Sequence, residues 1–167
     1  MKRGFTLIEL LIVIAILAVL ATAVVLVLNP AELIKQARDS TRISDMAVIN
    51  GAIALYLSDV SSPDLGGCSN SGARCTANAV TGPFVNRTTC SYSSSTAVDG
   101  NGWIDIDFTD ITSGSPLSKL PIDPVNSTTY YYAYACQDAT SPYVYELNAN
   151  MESGKYSYTG GNDIESN

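Results

Sequence analysis

One carboxylate, Glu9, stands near the start of an apolar run that extends from Phe5 to Leu28. Inside a membrane segment a carboxylate costs about 2.5–3.5 kcal/mol on insertion scales, so it calls for a partner. At the edge of such a segment it reaches the headgroup layer at little cost, and position alone leaves both readings open. A second acidic group, Asp99, Asn101, Asp105, Asp107 and Asp110, falls within twelve residues, with Gly100 and Gly102 giving turn freedom. Oxygen ligands at alternate positions suit Ca²⁺, and an acid at the twelfth place matches the end of a calcium loop. Trp103 holds the fifth place, where an oxygen is wanted, and Ile104 the sixth, where such a loop needs glycine. The preferred reading makes several of these acids the solvent face of a strand.

Four cysteines, Cys68, Cys75, Cys90 and Cys136, allow three connectivities. Cys68 and Cys75 are near enough to close a small loop, and a Cys90–Cys136 bond would tie that loop to a later strand, so this is the pairing expected. Zinc is disfavoured: the chain has no Cys-x-x-Cys spacing and no histidine. The missing histidine also removes the commonest general base. No nucleophile with a base, phosphate-cradling loop or dinucleotide signature is present, so an enzyme is not expected. Asn86-Arg87-Thr88 and Asn126-Ser127-Thr128 fit the N-glycosylation pattern, a frequent chance match.

The apolar run has the length of a helix that spans a hydrocarbon core of about 30 Å. A cleaved secretory signal is shorter, with about 7–15 apolar residues before a small-residue cleavage site. Here Ala21, Thr22 and Ala23 are followed by more apolar residues. A soluble core helix is also disfavoured, because the polar, Tyr- and Ser-rich remainder has little with which to cover it. Lys2 and Arg3 before the run place the amino terminus in the cytoplasm and the rest outside, which favours disulfides over free thiols.

The string Lys2, Arg3, Gly4, Phe5, Thr6, Leu7, Ile8, Glu9 closely resembles the processing site of type IV prepilins and type II secretion pseudopilins. The resemblance covers about thirty residues. It implies cleavage between Gly4 and Phe5 by a membrane prepilin peptidase, N-methylation of Phe5, and pairing of Glu9 with the terminal amine of a neighbouring copy. It further implies an inner-membrane assembly platform and, before assembly, lipid around the helix. Many relatives carry proline at the position of Leu26 and glycine at that of Ala18; this chain has neither, so any break in the stem is expected at Asn29 and Pro30. Leu120, Pro121, Ile122, Asp123, Pro124 is more loosely similar to a segment of pseudopilin globular domains. Some pseudopilins bind calcium near the carboxyl terminus, where Asp163 and Glu165 stand here without a matching motif.

Nine basic residues against sixteen acidic give a net charge of −7, and loss of Lys2 and Arg3 leaves seven against sixteen, or −9. General nucleic-acid binding, which draws on clustered Lys and Arg, is not expected. Asn29, Pro30 and Glu32 read as a helix start or kink. Beyond them Ile43, Met46, Ile53, Leu57 and Val60 form a helical stripe, with Ile49 and Tyr56 filling or flanking it. Asp39 and Arg42, three apart, are expected to pair on the surface for tenths of a kcal/mol.

Residues 61–96, rich in Ser, Thr, Gly and Asn, read as a long loop. Strands are expected at Trp103–Phe108, Thr129–Ala135, Tyr143–Leu147 and Lys155–Tyr158, separated by turns. The chain therefore divides into a leader (1–4), a membrane or filament-core helix (5–28), an amphipathic helix (29–60), a disulfide-bearing loop (61–96) and a sheet with tail (97–167), the last three forming one globular unit. The expected fold is α+β and pilin-like, a long helix on a small antiparallel sheet. The expected role is a subunit of a type IV pilus-like surface filament built from copies of itself, for adhesion, motility or DNA uptake. It begins as a single-pass membrane protein and ends in an extracellular or periplasmic fibre. The alternatives are a type II secretion pseudopilin and a membrane-anchored binding domain that never polymerises.

Overall fold

The computed structural model describes residues 4–66, 72–78, 81–84, 87–137 and 143–157. Its amino-terminal half is two helices, α1 (Leu7–Leu28) and α2 (Pro30–Asp59), separated by Asn29 alone. Asn29 adopts the left-handed conformation, φ 41° and ψ 74°, which asparagine tolerates better than most residues. Pro30 has no N–H to continue α1 and suits the first position of a new helix. The break thus falls where the sequence placed it, but the Asn29 side chain does not cap α2. Its carbonyl accepts instead from the amides of Glu32 and Leu33, at 3.0 and 3.3 Å.

A mixed sheet packs on the second half of α2. Its strands are β1 (Gly72–Cys75), β2 (Thr81–Phe84), β3 (Arg87–Tyr92), β4 (Tyr132–Cys136) and β5 (Tyr145–Ala149), in the order β2-β3-β1-β4-β5. The pairs β2–β3, β1–β4 and β4–β5 are antiparallel, whereas β1 and β3 run parallel. Ile49, Ile53 and Tyr56 of α2 are buried against Trp103, Ile104, Ile106, Phe108, Tyr132 and Tyr134. Met46, Leu57 and Val60 lie at the edge of this core, and Ile43 is exposed rather than part of the stripe. Alternation along β4 sends Tyr132 and Tyr134 toward α2, while Ala133 and Ala135 join Ala73, Phe84 and Tyr131 in a second cluster on the far face.

Three expectations are corrected. Residues 61–96 are not simply a loop but hold β1, β2 and β3, strands of four to six residues whose small polar composition hides them until they pair. Trp103–Phe108 is not a strand. Its amides reach loop carbonyls, Trp103 N to Ser95 O and Phe108 N to Val98 O, both at 2.8 Å, and it ends in the one-turn 3₁₀ helix Phe108–Asp110. Trp103 and Ile104 are adjacent yet both buried, which strict alternation would not allow. From Lys155 to Ser157 the chain turns, with Ser157 N donating to Ser153 O, and Tyr158 lies outside the described residues. The Ala139–Pro142 turn lies wholly outside them too.

The disulfide pairing also differs from the expected one. Cys75 bonds Cys90, with Cα atoms 5.7 Å apart, because the parallel neighbours β1 and β3 bring them together. Cys136 at the end of β4 is disulfide-bonded as well, and Cys68 lies outside the described residues. Trypsin separates the four cysteines at Arg74, Arg87 and Lys119. Mass spectrometry of an unreduced digest is expected to find peptide 75–87 joined to 88–119. A bond between 43–74 and 75–87 would restore the Cys68–Cys75 pairing instead.

Candidate functional site

The amino-terminal end of α1 is built by a four-residue device. Thr6 is extended, at φ −81° and ψ 151°, and its Oγ1 accepts from the amide of Glu9 at 3.3 Å. The Glu9 carboxylate in turn accepts from Thr6 N at 2.9 Å and from Thr6 Oγ1 at 2.7 Å. This reciprocal capping box satisfies helix amides that would otherwise lack partners, and it puts a negative charge at the positive end of the helix dipole. Because the helix starts only at Leu7, the Gly4–Phe5 peptide lies outside it, and Phe5 is 84% exposed. Thr6 was missed in the sequence, although Thr6-Leu7-Ile8-Glu9 carries the capping-box spacing.

Beyond Glu9 the described part of the stem has no cover. Every described side chain from Leu7 to Val25 is exposed, and this 19-residue stretch is long and apolar enough to cross a membrane. A helix apolar all round needs an apolar environment, which only lipid or other chains can supply to it here.

The globular unit is fixed to α2 by a buried charge cluster. The Arg42 guanidinium grips Asp123 in bidentate fashion, Nε to Oδ2 at 2.6 Å and Nη2 to Oδ1 at 3.0 Å. Its Nη1 donates to Asp39 at 2.7 Å and to Glu152 at 3.4 Å, and its charge lies 5.1 Å from the centre of the Tyr130 ring. Asp39 also accepts the amides of Glu152 and Ser153, at 2.9 and 2.8 Å. Arg38 binds both oxygens of Glu152, and Glu32 accepts from Gly154 N at 2.6 Å. The segment after β5 is thereby strapped along the first half of α2. The expected surface pair of Asp39 and Arg42 is corrected: both side chains are fully buried, because Asp123 and Glu152 close over them.

Burial alone would raise the Asp39 carboxyl and lower the Arg42 guanidinium, but hydrogen bonds reverse both effects. Ser153 and Arg42 hold Asp39 below its ordinary value, and Asp123 and Asp39 raise Arg42. Arg38 holds Glu152 low against its own desolvation. Asp45 goes the other way: burial raises it despite a 2.7 Å hydrogen bond donated by the Tyr132 hydroxyl.

Of the calcium candidates, Asp99 and Asp107 are brought opposite each other by an antiparallel bridge. Asp105 pairs with Arg74, Asp107 accepts from the amide and hydroxyl of Thr109, and Asp99 accepts from the amide of Asn101. Asp110 ends the 3₁₀ turn. Among the described residues no three His, Cys, Asp or Glu side chains are placed to share a metal ion. Asp163 and Glu165 lie outside the described residues, as does Asn86 of the first glycosylation pattern. Asn126 of the second is engaged, donating from Nδ2 to Thr76 O at 2.9 Å.

Residues 1–25 match the prokaryotic N-terminal methylation motif, the signature shared by type IV pilins and pseudopilins. No curated protein and no solved structure matches the chain. The motif and the uncovered apolar helix fit anchoring in a membrane before assembly, and they point to a structural subunit processed as a prepilin.

Arg42→Ala strands three carboxylates in or beside a buried site and is expected to destabilise the domain by about 3–5 kcal/mol in urea titration. Asp39 and Glu152 are held low, so their contribution is complete above the unfolded carboxylate range, about pH 4, and is lost as pH falls through their folded values. Asp45, held high, has the opposite sign: the fold gains as Asp45 takes up its proton on acidification. Stability is therefore expected to drop below about pH 4 as the strap protonates. Glu152→Gln should flatten that drop, and an unchanged acid limb would show that the strap does not cause it.

Proposed function

We propose that the chain is a structural subunit of a type IV pilus-like surface filament for adhesion, motility or DNA uptake. The observation that carries this reading is a helix that bears the methylation motif and leaves every described apolar side chain, from Leu7 to Val25, uncovered. The subunit waits in the membrane with its sheet domain outside. Prepilin peptidase hydrolyses the exposed Gly4–Phe5 peptide and methylates the new amine of Phe5. An assembly platform then draws α1 out of lipid into a bundle of stems from other copies.

Lipid tails are as apolar as leucine, so exchanging lipid for neighbouring helices yields little hydrophobic free energy. The selective contribution is polar: Glu9 meets the Phe5 ammonium of a neighbour, and a charge-assisted hydrogen bond is roughly twice as strong as a neutral one.

Mass spectrometry of the mature protein is expected to show N-methyl-Phe5 at the amino terminus; an intact Met1 would overturn the reading. Glu9→Val should abolish filaments in electron micrographs of cells, and undiminished fibres would remove Glu9 from assembly. Short fibres confined to the periplasm, in place of long surface filaments, would favour a type II secretion pseudopilin.

A further inference from the structure

In the first turns of α2 two large apolar side chains face outward. Leu33 and Ile34 are 50% and 56% exposed, although a helix that faces water keeps polar residues on that side. Their height along the chain gives them an environment. With Glu9 at the inner edge of a bilayer, residues 10–28 rise about 29 Å, close to the hydrocarbon core of about 30 Å. Asn29 then stands at the outer boundary. Headgroups add about 5–7.5 Å on that side, and residues 30–34 rise about 7.5 Å. Leu33 and Ile34 thus fall in the headgroup layer rather than in water.

A second segment is held against this part of the helix. Gly154 N donates to Glu32 Oε1 at 2.6 Å, and Ser153 O accepts the amides of Tyr156 and Ser157 at 3.2 and 2.9 Å, so the strap turns beside the first turn of α2. The turn carries Lys155, which is exposed, with its Nζ 4.8 Å from the centre of the Tyr156 ring. Lysine and tyrosine have apolar bodies and polar tips, which suit a membrane–water boundary. Lys35 follows Ile34 directly. The acids of this end are engaged, Glu32 by Gly154 N and by Lys35 at 4.0 Å, and Glu152 by Arg38. The exposed acids Asp59, Asp64 and Asp110 gather instead at the far end of α2, where Thr112 N binds Asp59 and Asp64 N binds the Tyr56 hydroxyl. Glu32 and Asp59 are about 40 Å apart along the helix. A bilayer at the first turn of α2 therefore meets the lysines and stays clear of these acids.

We propose that Leu33, Ile34, Lys35 and Lys155 form a seat on the phospholipid headgroups of the leaflet that faces the sheet domain. The two apolar side chains enter the layer, and the two ammonium groups bind lipid phosphate. The seat rests on the membrane-resident stage of the filament reading and adds what the domain touches there.

The test uses the full-length chain in vesicles of phosphatidylethanolamine and phosphatidylglycerol. A fraction of phosphatidylcholine carries a nitroxide on its headgroup or, in a separate preparation, deep in its acyl chain. Trp103, the sole native tryptophan, is buried in the core and is expected to stay unquenched. In Ile34→Trp the headgroup nitroxide should cut emission of the added tryptophan by roughly twofold or more. Replacing both Lys35 and Lys155 by Glu in that variant should roughly halve the quenching, and Arg at the two positions should restore it. Leu20→Trp, inside the span, should respond to the deep nitroxide and so reports insertion.

If Ile34→Trp ignores the headgroup nitroxide while Leu20→Trp responds to the deep one, the seat is overturned and the anchor stands. Shielding that rises with protein concentration rather than with nitroxide would assign the face to another copy and overturn the seat too, as would quenching that the two glutamates leave unchanged. No response from Leu20→Trp would overturn the membrane-resident stage along with the seat.

Discussion

The bidentate bond between Arg42 and Asp123 is the constraint on which the rest of the domain depends. A guanidinium taken out of water must have its donors met, and Arg42 meets them with carboxylates from three separate parts of the chain. As a net stabiliser such a pair is weak, since desolvation offsets most of the attraction. As a specifier it is strong. Rotating α2 about its axis, or sliding it by a turn, would leave a charge buried without a partner. Asp123 transmits the constraint further by accepting the amides of Val125 and Asn126, which fixes the chain leading toward β4.

Physical environment changes in steps along the two helices. From Leu7 to Val25 every described side chain is exposed; from Glu32 to Asp45 the contacts to the domain are mainly ionic and hydrogen-bonded; from Ile49 to Tyr56 they are apolar. Because the described part of the stem, Leu7 to Val25, contributes nothing to either buried cluster, it can exchange one apolar environment for another without disturbing the sheet. The polar middle section suits its position, since hydrogen bonds to fixed partners define an orientation where little apolar surface is on hand to do so.

How much of this was legible in the sequence follows from the range of the interactions. The Gly4–Phe5 motif, the span, the break at Asn29 and the Tyr-rich strands β4 and β5 are local signals, and they were readable. The charge cluster was not: Asp39 and Arg42 look like any surface pair three residues apart, and the groups that bury them stand 81 and 110 residues from Arg42. Strands β1, β2 and β3 escaped notice because their apolar content is low and one face of the sheet is covered by alanines, which carry little pattern. The disulfide was misassigned for a related reason, since nearness in sequence favoured Cys68 for Cys75, whereas the parallel pairing of β1 with β3 favours Cys90.

The capping box bears on why cleavage would have to come before assembly. In the uncleaved chain the nitrogen of Phe5 is an uncharged amide, and Glu9 is satisfied by Thr6 within its own first turn. The cations of an uncleaved neighbour nearest to Glu9, Lys2 and Arg3, belong to its leader and not to its apolar stem. Hydrolysis after Gly4 would remove them and turn that amide into an amine, which is positively charged below its pKa of about 8, so that a stronger partner than Thr6 then stands at the head of the stem itself. On the filament reading Thr6 is a holding partner. It lowers the cost of keeping a carboxylate at the membrane edge while the leader is attached, and bonds from an uncharged amide and hydroxyl can yield to an ammonium, which is charged as well as hydrogen-bonding. A stronger internal partner, such as a lysine in the first turn of α1, would hold Glu9 just as well in the membrane but would oppose its transfer to the neighbouring stem.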